Sequence, residues 1–187
     1  MTRRKRLRLR RYELASFTER MIGAAKLDVH VYEEVETDTG ATSQAMGVVL
    51  LASLAGGIGS VGLGTGGLGS FITGAIAALI GWVTWAFVTY IIGTRLLPES
   101  QTRADVGELM RTLGFAQSPG LLRIFGILPG VGPLVLSLTQ IWLLVAMVVA
   151  VRQALDYSST FRAVGVCLVG WVLATVIGVV LLLFVAP

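Results

Sequence analysis

The chain has 187 residues, of which 55% are hydrophobic and only 14% are charged, and its formal net charge is +4 at pH 7. A soluble domain carries about 25% charged residues, so this composition cannot cover a water-facing surface. Residues 39–94, 124–151 and 163–187 contain no Asp, Glu, Lys or Arg, and apolar runs longer than about 18 residues are typical of membrane spans. The pattern disfavours a soluble enzyme, a disordered chain and a disulfide scaffold, and it predicts an all-α, polytopic membrane helical bundle.

The chain begins with a basic arm. Its seven basic residues are Arg3, Arg4, Lys5, Arg6, Arg8, Arg10 and Arg11. Near a membrane each such charge gains about 1 kcal/mol from anionic headgroups. A nucleic-acid-binding arm has a similar composition, but the adjoining hydrophobic region favours membrane lipid, and not nucleic acid, as the partner of the arm.

Residues 12–38 are predicted to form two short amphipathic helices. The first has an apolar stripe at helical spacing, formed by Leu14, Phe17, Met21, Ile22 and Ala25. Arg20 is expected on its other face. In the second helix Asp28 is a candidate N-cap, and one side is shared by Val29, Tyr32 and Val35. We expect residues 1–43 to lie at the cytoplasmic membrane surface; pairing of the basic arm with the acidic second helix is the alternative.

Two spans are predicted at about 45–63 and 71–94, with a glycine-dense stretch between and within them. Two matches to G-x-G-x-x-G begin at Gly57 and Gly64. A dinucleotide-binding loop needs a preceding strand and an acidic residue about 20 positions later, and a phosphate-binding loop needs a lysine. These features are missing, so the glycines predict a turn and close helix packing.

The polar loop 95–118 is predicted to contain a short amphipathic helix with Val106, Leu109, Met110 and Leu113 on one face. Ser118 is the expected N-cap of the next helix, and Pro119 occupies its first turn. The sequence Pro129-Gly-Val-Gly-Pro133 should interrupt the apolar stretch, which gives a short helix at about 119–130 and a span at about 133–152. The short helix would rise about 18 Å, less than a hydrocarbon core of about 30 Å, so it must be shielded, tilted or re-entrant, with Arg123 snorkelling to the cytoplasmic headgroups.

A last span is predicted at about 163–186, which makes five spans within a membrane domain of residues 44–187. All 15 Lys and Arg residues then lie on or near one side. The positive-inside rule gives a cytoplasmic N-terminus and an outward C-terminus. A four-span arrangement would place Arg152 and Arg162 outside.

Few residues could carry chemistry. The chain has one cysteine, Cys167, and one histidine, His30, so we predict no enzyme, metal site or cofactor. No Asp, Glu, Lys or His lies in a predicted span, which disfavours a proton-coupled transporter. Gln140 is expected to form interhelical hydrogen bonds, with a substrate contact as the alternative. A ridge of small residues for helix contact, within the chain or between copies of it, is formed by Gly170, Ala174 and Gly178.

One motif resembles that of a known family. It reads R-x-x-G-F-A-x-x-P and is formed by Arg111, Gly114, Phe115, Ala116 and Pro119. A short apolar helix, a span with Trp142, the stretch Ser158–Ala163 and a last span follow it. Over roughly residues 20–187 the chain resembles the Yip-domain family. The resemblance implies five spans, a cytoplasmic N-terminus and an outward C-terminus, and for eukaryotic members a Golgi or endoplasmic-reticulum location with binding of Rab-type GTPases. This chain lacks the Asp-Leu-Tyr-Gly-Pro-type motif of those members and is closer to the bacterial branch, which implies a bacterial cytoplasmic membrane.

These features predict a non-enzymatic integral membrane protein with a role in membrane organisation, in trafficking-like processes or in protein interaction. Its partners would be membrane lipids and a protein partner or a second copy of the chain. A small transporter, channel or lipid-handling protein that uses the break at 129–133 is one alternative. An accessory subunit of a larger membrane complex is the other.

Overall fold

A computed structural model describes residues 15–64 and 68–185, with side chains for all of these except 68–70, 174 and 177–185. The described residues are helical, without strands. Among the residues whose side chains are described, three helical stretches, 41–61, 71–96 and 132–154, are long and apolar enough to cross a membrane. They support a helical membrane fold, and the five spans expected from the sequence stay a prediction.

The helices follow one another with short connections. They are α1 (Phe17–Ala25), α2 (Val29–Thr37), α3 (Ala41–Val61), α4 (Leu68–Ile91) with a π-helical turn (Ile92–Leu96), α5 (Val106–Phe115), a 3-10 helix (Ser118–Ile127), α6 (Gly132–Ala154) and α7 (Thr160–Val185). Each predicted long apolar stretch coincides with one helix, and the ends agree to within about four residues.

Side chains at the N-termini set where the short helices begin. The Asp28 carboxylate accepts a hydrogen bond from the backbone N–H of His30 at 3.0 Å, so its predicted capping role is confirmed. Ser16 and Glu19 form a capping box at α1, and Asp105 and Glu108 form another at α5. Such boxes satisfy backbone N–H groups that have no partner within the helix.

The buried face of α1 differs from the predicted stripe. Ile22 is 50% exposed, whereas Arg20 and Ala24 are 1% and 0% exposed. The expectation that Ile22 points inward and Arg20 outward is therefore wrong. Phe17 and Met21 do pack against the core, and residues 20 and 24 share their side of the helix. Arg20 can lie there because acidic groups of α2 surround its guanidinium.

The predicted short helix at 119–130 is a 3-10 helix that begins at Ser118 and ends at Ile127. It continues the direction of α5 and follows α3 from its start towards its end, because Gly114 lies against Ala45, Gly120 against Ala52 and Gly126 against Gly59. A 3-10 helix rises about 2.0 Å per residue, so ten residues extend about 20 Å, compared with about 15 Å for an α-helix. Neighbouring helices α3 and α6 shield one side of this segment, whereas a tilted or re-entrant placement stays a prediction.

Ser118 and Pro119 stand at the start of the 3-10 helix. The expectation that Ser118 caps this helix is wrong: its hydroxyl donates to the carbonyl of Phe115 at 2.7 Å, at the end of α5. Pro119 occupies the first turn as expected. Ser118 therefore closes the preceding helix, because that helix leaves carbonyls without partners at the point where its hydroxyl lies.

Glycines in α3 and directly after it permit the close approach of the 3-10 helix. A Cβ at position 62 would lie 2.6 Å from the Cα of Ile127, and a Cβ at position 59 would collide with the carbonyl of Arg123. A Cβ at position 57 would lie 2.6 Å from the ring of Phe71. The glycine-dense stretch thus contributes close backbone packing, as small residues do in membrane bundles.

Candidate functional site

Arg111 of the family-like motif joins α5 to α2. It is 6% exposed, and its Nε donates to the carbonyls of Val35 at 3.1 Å and Glu36 at 2.9 Å. Its Nη2 also donates to the Glu36 carbonyl. The last carbonyls of a helix have no partner within it and carry the negative end of its dipole. Arg111 therefore caps the C-terminus of α2.

The rest of the motif packs α5 against α1 and α3. A Cβ at position 114 would lie 2.6 Å from that of Ala45, so only glycine fits there. The ring of Phe115 is fully buried and meets Phe17 edge to face, with centroids 6.4 Å apart. Ala116 and Pro119 are buried as well. We call the three short helices α1, α2 and α5 the cap. The structure thus brings the five motif residues to the joint between the cap and the long helices.

Arg20 is the second arginine that holds the cap together. Its Nε and Nη2 donate to Oε1 of Glu34 at 3.0 and 2.8 Å, and its Nη2 lies 2.7 Å from Oδ2 of Asp38. Its Nη1 donates to Oε1 of Gln44 at 3.0 Å, in the first turns of α3. The hydrogen bond from Arg20 lowers the pKa of Asp38. The sequence suggests that the acidic helix α2 pairs with the basic arm. Among the described residues, Arg20 pairs with the acidic groups Glu34 and Asp38.

The outer surface of the cap combines apolar and polar exposed groups. Ile22 is 50% exposed and Val29 38% exposed, and the side chains of Lys26 and His30 are exposed between and beside them. Their helices are joined by a turn in which Leu27 has a φ of 62°. Isolated apolar side chains are common on protein surfaces, but two around one fixed turn can form the centre of a small contact area.

A cavity of about 430 Å³ lies between α4 and α6 and is bordered by α3, the 3-10 helix and α7. Its apolar walls include the rings of three tryptophans and two side chains of α6, which are Trp82, Trp85, Trp171, Leu143 and Met147. Its polar lining residues are Ser53, Gln117, Arg123 and Gln140. A half-enclosed apolar space with a few polar groups is the usual form of a ligand site.

Arg123 enters this cavity from the 3-10 helix. Its Nη2 donates to Oε1 of Gln140 at 2.7 Å, and its Cδ lies 3.5 Å from the position of a Cβ on Gly56. Gly56 follows the start of α3 by fifteen residues, which is about 22 Å along the axis. Arg123 therefore lies against the second half of α3, and the expectation that it snorkels to the cytoplasmic headgroups stays a prediction. It lies there because the 3-10 helix follows α3 from its start towards its end.

The tryptophans divide into two groups. Trp82 Nε1 donates to the carbonyl of Met110 at 2.8 Å, and Trp142 Nε1 donates to the carbonyl of Ala25 at 2.9 Å, so both connect long helices to the cap. Trp85 Nε1 is buried without a hydrogen-bond partner among the described residues, and Trp171 is 65% exposed. Trp85 and Trp171 both line the cavity.

The remaining candidate residues are only partly described. A Cβ at Gly170 would lie 3.2 Å from Trp85, so this end of the small-residue ridge faces α4. The side chains of Ala174 and Gly178, and the whole basic arm from Arg3 to Arg11, lie outside the described part of the chain. Within that part, no group of three His, Cys, Asp or Glu side chains could hold a metal ion.

Comparisons with known proteins identify no relative of this chain. No protein-family model matches the chain, and neither a curated protein nor a solved structure matches it.

Proposed function

We propose that this chain is a non-enzymatic integral membrane protein of Yip type that acts through its cap as a protein-interaction surface. It crosses the membrane five times, with the 3-10 helix in the third, irregular passage and α7 in the fifth. The N-terminus and the cap are cytoplasmic, and the C-terminus is outside. A bacterial cytoplasmic membrane is the proposed location.

The observation that carries this proposal is the joint made by Arg111 and Arg20. Both guanidinium groups are buried, and together they connect α2 to α5, α1 and α3. A surface that merely lay on lipid would not need such a joint. Fixing three short helices in one orientation lowers the entropy cost of binding a partner, and the fixed cap presents Ile22 and Val29 outward.

Site-specific photo-crosslinking tests the cap. A photoreactive residue at position 22 is expected to capture one protein in constant ratio, and Val29→Asp is expected to abolish the capture because it places a charge in the contact area. Thr39→Asp, also at an exposed position, is the matched control and should leave capture intact. A chain that stays monomeric in mild detergent, without crosslinks at the cap, would contradict the proposal.

An accessory subunit of a larger complex would differ from this role only in that its partner stays bound permanently. A partner that remains bound at fixed stoichiometry through detergent purification would identify that case. A partner that dissociates on dilution would support transient interaction.

A second candidate function, a small transporter or lipid-handling protein, is favoured by the cavity. The cavity is lined by the charged side chain of Arg123 and lies beside helices long enough to span a membrane. Flux assays in proteoliposomes for ions, small solutes and lipids test it. Activity that depends on residues of the cavity would favour this candidate over the cap.

A further inference from the structure

Arg123 is a charged residue among apolar helices, and the described part of the chain gives it no anionic partner. The described residues form four salt-bridge contacts, and none involves Arg123. Its hydrogen-bond partner is the neutral amide oxygen of Gln140. Ionised side chains within membrane helices are rare and usually pair with another group or mark a functional site. The cavity beside Arg123 has no acidic residue in its lining.

The polar groups that border the cavity are rich in hydrogen-bond donors. The guanidinium of Arg123 has five N–H donors and cannot accept a hydrogen bond. Gln140 uses its oxygen for Arg123, which leaves its amide nitrogen as a donor. One positive charge with these donors and no carboxylate selects an anion.

We propose that the cavity binds the anionic phosphate headgroup of a membrane amphiphile, with Arg123 as the residue that pairs with the phosphate. The inference goes beyond the proposed role of the cap and gives the second candidate function a ligand class. Gln140 orients the guanidinium, and the tryptophan rings contact the apolar part of the ligand.

Two features favour an amphiphile over a free soluble anion. Leu144 and Trp171 line the cavity and are 49% and 65% exposed, so the cavity opens sideways on an apolar helix surface, which faces acyl chains in a membrane. Its volume of about 430 Å³ also exceeds what one phosphate group fills, and most of its wall is apolar. A phosphate headgroup would pair with the charge of Arg123, and the first part of its acyl chains would contact the apolar wall.

Tryptophan fluorescence of the full chain in nanodiscs tests this site. Brominated phosphatidylglycerol, diluted into phosphatidylcholine, is expected to quench the emission more strongly than brominated phosphatidylcholine does. Arg123→Gln should lower the preference for phosphatidylglycerol about tenfold, since a charge-assisted hydrogen bond is lost. Arg123→Lys retains the charge and should retain part of the preference. Arg95→Gln, at an exposed position outside the cavity, is the matched control and should leave it unchanged.

A second pair of variants keeps the test valid if Arg123→Gln does not fold. Gly81 lines the cavity, and a Cβ there would meet nothing within 4 Å; the same clearance holds at Gly74 on the same helix, outside the lining. Gly81→Leu should fill the entrance and reduce quenching, and Gly74→Leu should not.

The outcomes distinguish a lipid headgroup from a free anion and from an empty cavity. A folded Arg123→Gln protein with an unchanged lipid preference would overturn the proposal, as would equal quenching by the two Gly→Leu variants. Equal quenching by the two brominated lipids, together with saturable binding of inorganic phosphate that depends on Arg123, would show a site for a free anion and not for a headgroup. Val29→Asp should keep the lipid preference while it loses the cap partner, so failure of one proposal is distinguishable from failure of the other.

Discussion

Arg20 donates two hydrogen bonds to a single oxygen of Glu34, from Nε at 3.0 Å and from Nη2 at 2.8 Å. The arginine is 1% exposed, whereas the glutamate side chain keeps 28% of its surface exposed. Glu34 Oε1 also accepts the backbone N–H of Ala15 at 3.0 Å. One carboxylate oxygen therefore connects the segment before α1, α1 itself and α2.

Arg20→Ala is expected to destabilise the cap by about 2–3 kcal/mol, because Glu34 and Asp38 lose their partner and the site of the guanidinium is left empty. The loss should be smaller than for a fully enclosed ion pair, because both carboxylates remain partly exposed. Hydrogen exchange of the amides in residues 17–37 measures the effect. Lys26→Ala, at the exposed position that directly follows the same helix, should change protection by less than about 0.5 kcal/mol. Equal effects of the two substitutions would contradict a structural role of the ion pair.

The stability of the cap should fall as the pH rises from about 4.5 to about 7. Burial, with Asp156, Glu108 and Glu33 nearby, raises the pKa of Glu36 from 4.5 to about 7. The folded protein then holds a proton on Glu36 that the unfolded chain has lost, so the contribution of this group decreases between about pH 4.5 and 7. Unfolding curves from pH 5 to 8 measure the slope.

Glu36→Gln should remove most of that slope, because glutamine stays neutral at every pH. Glu33→Gln, at an exposed position of the same helix, should retain most of it. At the acidic end the sign is opposite: hydrogen bonding to Arg20 lowers the pKa of Asp38, so its stabilising contribution exists above its unfolded pKa and is lost as pH falls through its folded pKa. An unaltered slope in Glu36→Gln would assign the pH dependence to another group.

Gly59→Ala should destabilise the bundle by about 1–3 kcal/mol, since its Cβ would collide with the Arg123 carbonyl and push the 3-10 helix away from α3. Gly74→Ala is the matched control, because nothing lies within 4 Å of a Cβ there. Alanine is favoured over glycine inside a helix, so the control should be neutral or stabilising by about 0.5–1 kcal/mol. Thermal unfolding in detergent compares them. A stable Gly59→Ala protein would show that the 3-10 helix can shift without cost.

Tyr157→Phe should lower stability by about 1 kcal/mol. The Tyr157 hydroxyl lies 2.7 Å from the carbonyl of Leu97 and 2.9 Å from that of Gly93, at the π-helical turn. Burial raises its pKa to about 12, so it remains a donor. Hydrogen exchange of residues 92–99 should increase in this variant. Tyr90→Phe is the comparison, and an equal increase there would indicate a general loosening of α4.

The sequence predicted those parts of the fold that depend on local composition. The long apolar helices and the cap of Asp28 follow from runs and spacings that involve neighbouring residues. The same holds for the amphipathic helix α5, where the expected core residues Leu109 and Leu113 are 0% and 3% exposed.

The rest depended on contacts between distant residues. Arg20 is buried because acids 14 and 18 positions later surround it, whereas spacing alone favoured Ile22. Arg123 lies against the second half of α3 because its segment follows that helix closely, at glycines that let the two backbones approach. Neither composition nor periodicity of 3.6 contains that information.

The 3-10 form of residues 118–127 also determines which substitutions this segment should tolerate. With three residues per turn, side chains three positions apart stand above one another, so Gly120, Arg123 and Gly126 make one row that faces α3. Leu122 and Phe125 form a second row and are 38% and 51% exposed. A saturation mutagenesis profile of this segment should therefore oscillate with a period of three. The tolerance to substitution should be lowest at the residues of the first row. In the neighbouring α-helices the tolerance should vary with a period near 3.6 residues.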